Sequence, residues 1–186
     1  MAGWVPFVVV ALLTGWIVAR YNRLAGLRSQ ALDRWRQIDV QLERRHDLIP
    51  NLVNVARSSM AVERQTLNAV LDARSNALTA TGPTDAAYKE QQLSRALARL
   101  LSVADNYPAL ASNDDMRTLR AELVRTETDI GVARPAYNDI ATTFNRTQQA
   151  FPAHLFAAAC GFTPAELFEI GDSKDGGAAR VDSSRG

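Results

Sequence analysis

The chain begins with an apolar run and then settles into a helical rhythm of apolar and polar positions that lasts almost to its end. Residues 1–19 carry no charged side chain. As a helix rising ~1.5 Å per residue this stretch reaches ~28 Å, close to the ~30 Å hydrocarbon core of a bilayer. Pro6 falls in its first turn, where a missing N–H does little harm. Trp4 at one end, with Trp16 and Tyr21 at the other, suits two membrane interfaces. A cleaved secretory signal would want a basic residue ahead of the apolar run and a small-residue cleavage site; no Lys or Arg precedes the run, and Val18-Ala19-Arg20-Tyr21 is a poor cleavage site. An uncleaved anchor over 1–19 is therefore expected. Arg20, Arg23 and Arg28 follow it, so the positive-inside rule predicts a short outer N-terminus and a cytoplasmic body.

Beyond Arg20, apolar residues at Leu24, Leu27, Ala31, Trp35, Ile38 and Leu42 are spaced three or four apart, the mark of an amphipathic helix. Nothing between Ala19 and Leu24 breaks a helix, so the anchor should run straight into this segment. The residue before a proline avoids the helical region, which predicts a turn at His46–Pro50 with Asp47 capping a second helix. Leu52, Ala56, Met60, Leu67, Val70, Leu71 and Leu78 carry that second helix to the Thr81–Asp85 turn. A third helix holds Leu93 to Ala104 and stops near Asn106-Tyr107-Pro108. Ser112 or Asn113 caps a fourth, whose first turn carries Asp114 and Asp115.

The fourth segment has the cleanest period. Met116, Leu119, Leu123, Thr126, Ile130, Ala133, Tyr137, Ile140, Phe144, Thr147 and Phe151 alternate spacings of three and four, which predicts coiled-coil-like packing. Pro135 inside this run should kink the helix. Short connections favour antiparallel neighbours. The expected fold is all-α: one transmembrane helix over 1–19 continuing into an antiparallel up-down helical bundle over 20–170. A short apolar C-terminal helix near Leu155–Phe162 would cap the bundle or rest on lipid, and 171–186 reads as a disordered tail.

Composition narrows the chemistry. The net charge is +1, from 21 basic and 20 acidic residues, which argues against a nucleic-acid partner held by bulk charge. One cysteine, Cys160, and two histidines, His46 and His154, exclude a disulfide within the chain and a Cys- or His-rich metal centre. Cys160 lies in an apolar segment and is expected to be buried and inert. No glycine-rich phosphate loop is present. No catalytic residue, cofactor or metal is assigned.

Arg44, Arg45, His46 and Asp47 form the most tempting cluster. At a helix end they could display two guanidinium forks and an imidazole to a partner or an anion. The simpler reading is that the basic residues complement the helix dipole, Asp47 caps the next helix, and His46, four residues after Leu42, faces the bundle. Asp39 and Glu43, four apart, are a possible carboxylate pair but more simply a solvated face beside Arg36 and Arg44. Tyr137, Asn138 and Asn145 are expected to form a buried polar network that fixes helix register. The arginines after the anchor could meet anionic lipid.

The string Gln37-Ile38-Asp39-Val40-Gln41-Leu42-Glu43-Arg44-Arg45-His46-Asp47-Leu48-Ile49-Pro50-Asn51-Leu52-Val53, with Tyr21-Asn22-Arg23-Leu24 before it, resembles the signature of the bacterial LemA family. Tyr137-Asn138-Asp139, Phe151-Pro152, Gly161-Phe162, Pro164 and Phe168-Glu169 follow in the order that family shows, so the resemblance covers about Val5 to Glu169. Pro135 departs from it. The resemblance implies a membrane-anchored helical bundle with a cytoplasmic body and no established catalytic residues, in a family one branch of which takes part in magnetosome formation. The functional expectation is a non-enzymatic scaffold or adaptor in the bacterial inner membrane. Its partners would be the lipid bilayer and an unknown cytoplasmic protein or a second copy. The alternative is an enzyme or a receptor for a small ligand or metal, with its site in the bundle or at the His46 end.

Overall fold

The first helix does not stop where the proline rule places its end. In a computed structural model that describes residues 4–151, 154, 157 and 160–170, helix α1 runs unbroken from Val5 to Ser59. At ~1.5 Å per residue it is a rod of ~80 Å. The turn expected at His46–Pro50 is absent, and Asp47 is an exposed mid-helix residue rather than a cap. Pro50 brings no N–H, which leaves the carbonyl of His46 without its helical partner. Arg74, on the next helix α2 (Arg64–Ala77), supplies the missing donor: its Nε donates to the His46 carbonyl at 2.7 Å.

The chain reverses at 60–63 instead. Met60 N–H donates to the Ala56 carbonyl and Glu63 N–H to the Met60 carbonyl, both at 2.9 Å, while the Met60 side chain is fully buried. Neither Gly nor Pro marks this turn. Helix α3 (Gly82–Ala104) follows a second reversal, as the Thr81–Asp85 signal predicts. There Gly82 sits at φ +81°, a left-handed conformation that favours glycine. Thr81 N–H donates to Asp85 Oδ2 at 2.9 Å. The hydrogen bond from Lys89 and then that from Thr81 hold the Asp85 carboxyl below the usual carboxylate range. A single turn, α4 (Pro108–Ala111), leads to α5 (Asp114–Gln149), where Asn113 Oδ1 caps the helix by accepting Met116 N–H at 2.8 Å. Helix α5 continues through Pro135. No strand occurs among the described residues.

Helix α1 packs chiefly along α5, and α2 along α3. Three apolar clusters follow one another along α1. Leu24 meets Phe144, Ala157 and Phe162. Ile38 and Leu42 meet Ala86, Ala87, Ile130, Tyr137 and Phe168. Ile49 to Met60 meet α2, the second half of α3, Met116 and Leu123. The α2–α3 pair reaches only the second and third clusters. Around Leu24 its place is taken by Ala157 and Phe162, and the C-terminal strap 162–170, which has no regular secondary structure, runs from there to Phe168 in the second cluster. Of the apolar segment Leu155–Phe162, Ala157 and Phe162 thus pack on the bundle, and Cys160 is exposed rather than buried. Residues 155, 156, 158 and 159 of that segment and the tail 171–186 lie outside the described residues. The period of α5 holds through Phe144 and then drifts: Gln148 is buried and Phe151 is exposed. A straight helix turns by 3.6 residues, so a strict 3.5 stripe walks off the contact face.

Arg74 should be worth more than its charge. Arg74→Ala is expected to destabilise the protein by ~1–3 kcal/mol, the cost of leaving a part-buried carbonyl unsatisfied. Pro50→Ala, which restores a backbone N–H at the right place, should recover most of that loss. Urea unfolding of the two single variants and the double variant in detergent checks it, and strictly additive effects would contradict the account.

Candidate functional site: a buried charged layer and a clamped strap

Between the second and third apolar clusters lies a layer of polar side chains from three helices. Arg45 and His46 come from α1, Glu90 and Ser94 from α3, and Thr126 and Glu127 from α5. Glu90 is the hub. Its Oε2 accepts from Arg45 Nη1 at 3.2 Å, and its Oε1 lies 2.5 Å from His46 Nε2. Arg45 Nη2 donates to Ser94 Oγ at 2.8 Å, and its Nη1 also reaches Glu127 Oε2 at 3.0 Å. Arg45, His46 and Glu90 are 5, 7 and 2% exposed, so water screens this cluster little. Thr126 satisfies its own hydroxyl on the Leu123 carbonyl at 2.8 Å.

The expected surface cluster is therefore split. Arg44 and Asp47 are exposed, and Arg44 pairs with Glu122 on α5. Arg45 and His46 are not displayed to a partner. They lie mid-helix, one position apart, and both turn inward because Glu90 offers each a separate oxygen. Nothing in the sequence near Glu90 singled it out, since a lone Glu in a helical rhythm reads as a solvated face. A cleft of ≈ 390 Å³ opens beside this layer, lined in part by Trp35, Asp39, Glu43, His46 and Glu90. No group of three His, Cys, Asp or Glu with metal-binding geometry occurs among the described residues.

The second polar feature is the face of α5 that holds the C-terminal strap. Asn138 Oδ1 accepts Phe168 N–H at 2.9 Å and its Nδ2 donates to the Phe168 carbonyl at 3.1 Å. Asn145 treats Ala165 in the same way, at 2.8 Å for both bonds. Gln148 Nε2 donates to the Phe162 carbonyl at 2.6 Å, and Tyr137 Oη to the Glu166 carbonyl at 2.6 Å. Tyr137, Asn138 and Asn145, expected to form a buried network between helices, each bond instead to the backbone of an extended strap. The spacing explains why. Seven residues of α-helix rise ~10.5 Å and three residues of extended chain ~10 Å, so Asn138 and Asn145 meet Phe168 and Ala165 in register.

Phe168 is fully buried against Trp35 and Tyr137, and Arg134 lies over its ring at 5.8 Å. Glu166 points the other way and caps α3: its Oε2 accepts Thr84 N–H at 3.1 Å. A Cβ at Gly82 would come within 2.8 Å of that carboxylate. Desolvation first, and then the nearby Glu166 carboxylate, raise the Tyr137 phenol from 10.0 to about 12.

Among the described residues the regular structure is all helical and one helix has an N-terminal part long and apolar enough to cross a bilayer; joined to a packed body with a charged interior layer, this defines a class: helical proteins with a candidate membrane helix. The profile of the LemA family matches residues 34–182, most of the chain, and the chain belongs to that family. The matched region holds the charged layer and the strap and begins after the apolar segment. Among similar proteins are Magnetosome protein MamQ 2 and Magnetosome protein MamQ 1 of Paramagnetospirillum magneticum. Each is 25% identical over 179 residues, covering 82% of this chain and 66% of the relative. Magnetosome protein MamQ of Magnetospirillum gryphiswaldense is 24% identical over 186 residues, covering 86% of this chain and 68% of its own length. The chain thus spans about two thirds of the length of these relatives.

Two outcomes follow from the site. Glu90→Ala should cost ~3–5 kcal/mol, because it strands a buried guanidinium. Glu127→Ala, whose carboxylate is 48% exposed, should cost under ~1 kcal/mol. Equal losses in urea unfolding would contradict the hub role. For Tyr137 the folded-state value is raised, so its contribution is fully present below pH 10 and is lost as pH rises toward about 12. Tyr137→Phe lacks the titrating group, so the stability gap between it and the parent chain should close across that window. A gap independent of pH would contradict the burial of the phenol.

Proposed function

We propose that this LemA-family protein is a membrane-anchored, non-enzymatic scaffold whose helical body serves protein–protein interaction or membrane-associated assembly. The observation that carries this reading is the continuity of α1. The same helix exposes Phe7, Val10, Leu12 and Ile17 and then buries Leu24, Ile38, Ile49 and Met60. Exposed apolar side chains over that length suit lipid tails, and an unbroken helix passes the position and tilt of its anchor directly to the body. In this reading the anchor is a single pass in the inner membrane, its N-terminus outside and the body in the cytoplasm, as Arg20, Arg23 and Arg28 favour. The body is an antiparallel up-down bundle. The pairing of Leu24 with Phe144 near one end and of Ile49–Met60 with Leu123 and Met116 at the other supports that course. The naming of the relatives as magnetosome proteins favours a role in membrane-associated assembly. Arg44 and Asp47 are the exposed members of the Arg44–Asp47 cluster, and a partner from outside would meet Arg44 together with its ion-pair partner Glu122.

A second reading, a small-ligand receptor, draws on the ≈ 390 Å³ cleft with Trp35, Asp39 and Glu43 at the edge of the charged layer. Carboxylates beside an aromatic ring would suit a small organic cation. A rise in melting temperature with small amines, lost in Asp39→Asn/Glu43→Gln, would favour it over the scaffold.

Alkaline carbonate washing of cell membranes, with a fluorescent reporter fused after Gly186, tests the leading reading. The chain should stay in the pellet and the reporter should be sealed from external protease. Release into the supernatant, or digestion of the reporter in intact cells, would contradict it.

A further inference from the structure

The strap is held in the manner of a bound peptide. Asn138 and Asn145 each grip both backbone groups of one strap residue, Gln148 and Tyr137 grip further carbonyls, and one apolar side chain, Phe168, fills a closed pocket. Contacts to backbone do not depend on which chain supplies the strand, so the groove reads an extended segment with an aromatic residue at its second clamped position, three after the first. The segment that fits it is carried by every copy of this protein.

We propose that the α5 groove accepts the 162–170 segment of a second copy, exchanging it for its own, so that neighbouring bundles in one membrane are linked strap to groove. Ala157 packs with Phe162 in the Leu24 cluster and would move with the strap, which leaves 150–156 as the connection; at ~3.3 Å per residue it can reach ~23 Å, about the ~20 Å width of a neighbouring helix pair. The contacts are those already made in cis, so the exchange costs no new complementarity. Confinement to a membrane plane raises the local concentration of the competing strap. The exchanged strap would also bring Glu166 to the N-terminus of its host's α3, where Thr84 N–H now receives it. Each joint would then bind the α3 end of one copy to the C-terminal segment of the next. The link is heterologous, so it can close as a pair or propagate as a row. This deepens the scaffold reading and rests on its anchored form.

The full chain is reconstituted in phosphatidylethanolamine/phosphatidylglycerol vesicles as a donor and a differently tagged acceptor. The donor carries a photo-crosslinking residue at the exposed Glu169. The acceptor carries Phe168→Asp, which empties its own groove, with Phe168→Ala as a milder form should circular dichroism show the first to lose helix. Donor–acceptor adducts should rise by about tenfold over those with a parent acceptor, whose strap competes in cis. They should fall to background when the acceptor also carries Asn138→Ala and Asn145→Ala. Equal adduct yields across these acceptors, or adducts within single chains only, would overturn the proposal. So would a labelled 162–170 peptide that binds the emptied acceptor while adducts between copies stay at background. Flotation of the same vesicles reads anchoring separately: protein that floats without forming adducts defeats the exchange and leaves the anchored scaffold standing.

Discussion

The carbonyl of His46 decides the course of this molecule. Pro50 withdraws its helical donor, and in an isolated segment that loss would favour a kink or a stop. Here a guanidinium from α2 replaces the donor, so α1 crosses the proline as one rod. Once α1 is continuous, Arg45 and His46 cannot be end-of-helix residues. They are carried into the interior beside the very carbonyl that Arg74 holds.

The interior layer then has a clear physical role. Two apolar clusters could slide past each other along the helices with little change in buried area, because apolar contact is not directional. A charged layer cannot slide, since each group would lose its partner in a medium that screens poorly. Glu90, with one oxygen for Arg45 and one for His46, joins α3 to α1 at a single register, and Glu127 ties α5 to the same guanidinium. The strap performs a related task nearer the proposed membrane side. Around Leu24 the α2–α3 pair has ended, and Ala157, Phe162 and Ala165 complete the core that two helices alone would leave open, while Phe168 reaches the second cluster beside α3.

Much of this was legible from residue spacing. The helical class, the Thr81–Asp85 reversal, the Asn113 cap and most of the α5 stripe follow from local rules, because each is set by neighbours within a turn or two. The misreadings came from contacts distant in sequence. Pro50 reads as a breaker until Arg74, 28 residues beyond His46 in the chain, is brought to the His46 carbonyl. The turn at 60–63 has no marker because packing, not turn chemistry, makes it. Glu90 is indistinguishable from a surface Glu without its partners. Asn138 and Asn145 were recognisable as a polar pair at two-turn spacing, yet a sequence pattern cannot say whether the partner of such a pair is a helix or an extended strap.

The continuity of α1 is the claim on which the layer, the strap and the proposed anchor all hang, and a distance measures it. With Cys160 replaced by Ser, spin labels at the exposed Ser29 and Ser58, each changed to Cys, report the length of helix between them by pulsed electron resonance. An unbroken α1 predicts one narrow distribution near ~43 Å. A reversal at His46–Pro50 would fold Ser58 back alongside the first segment and bring the labels to ~20 Å, and that result would contradict the account.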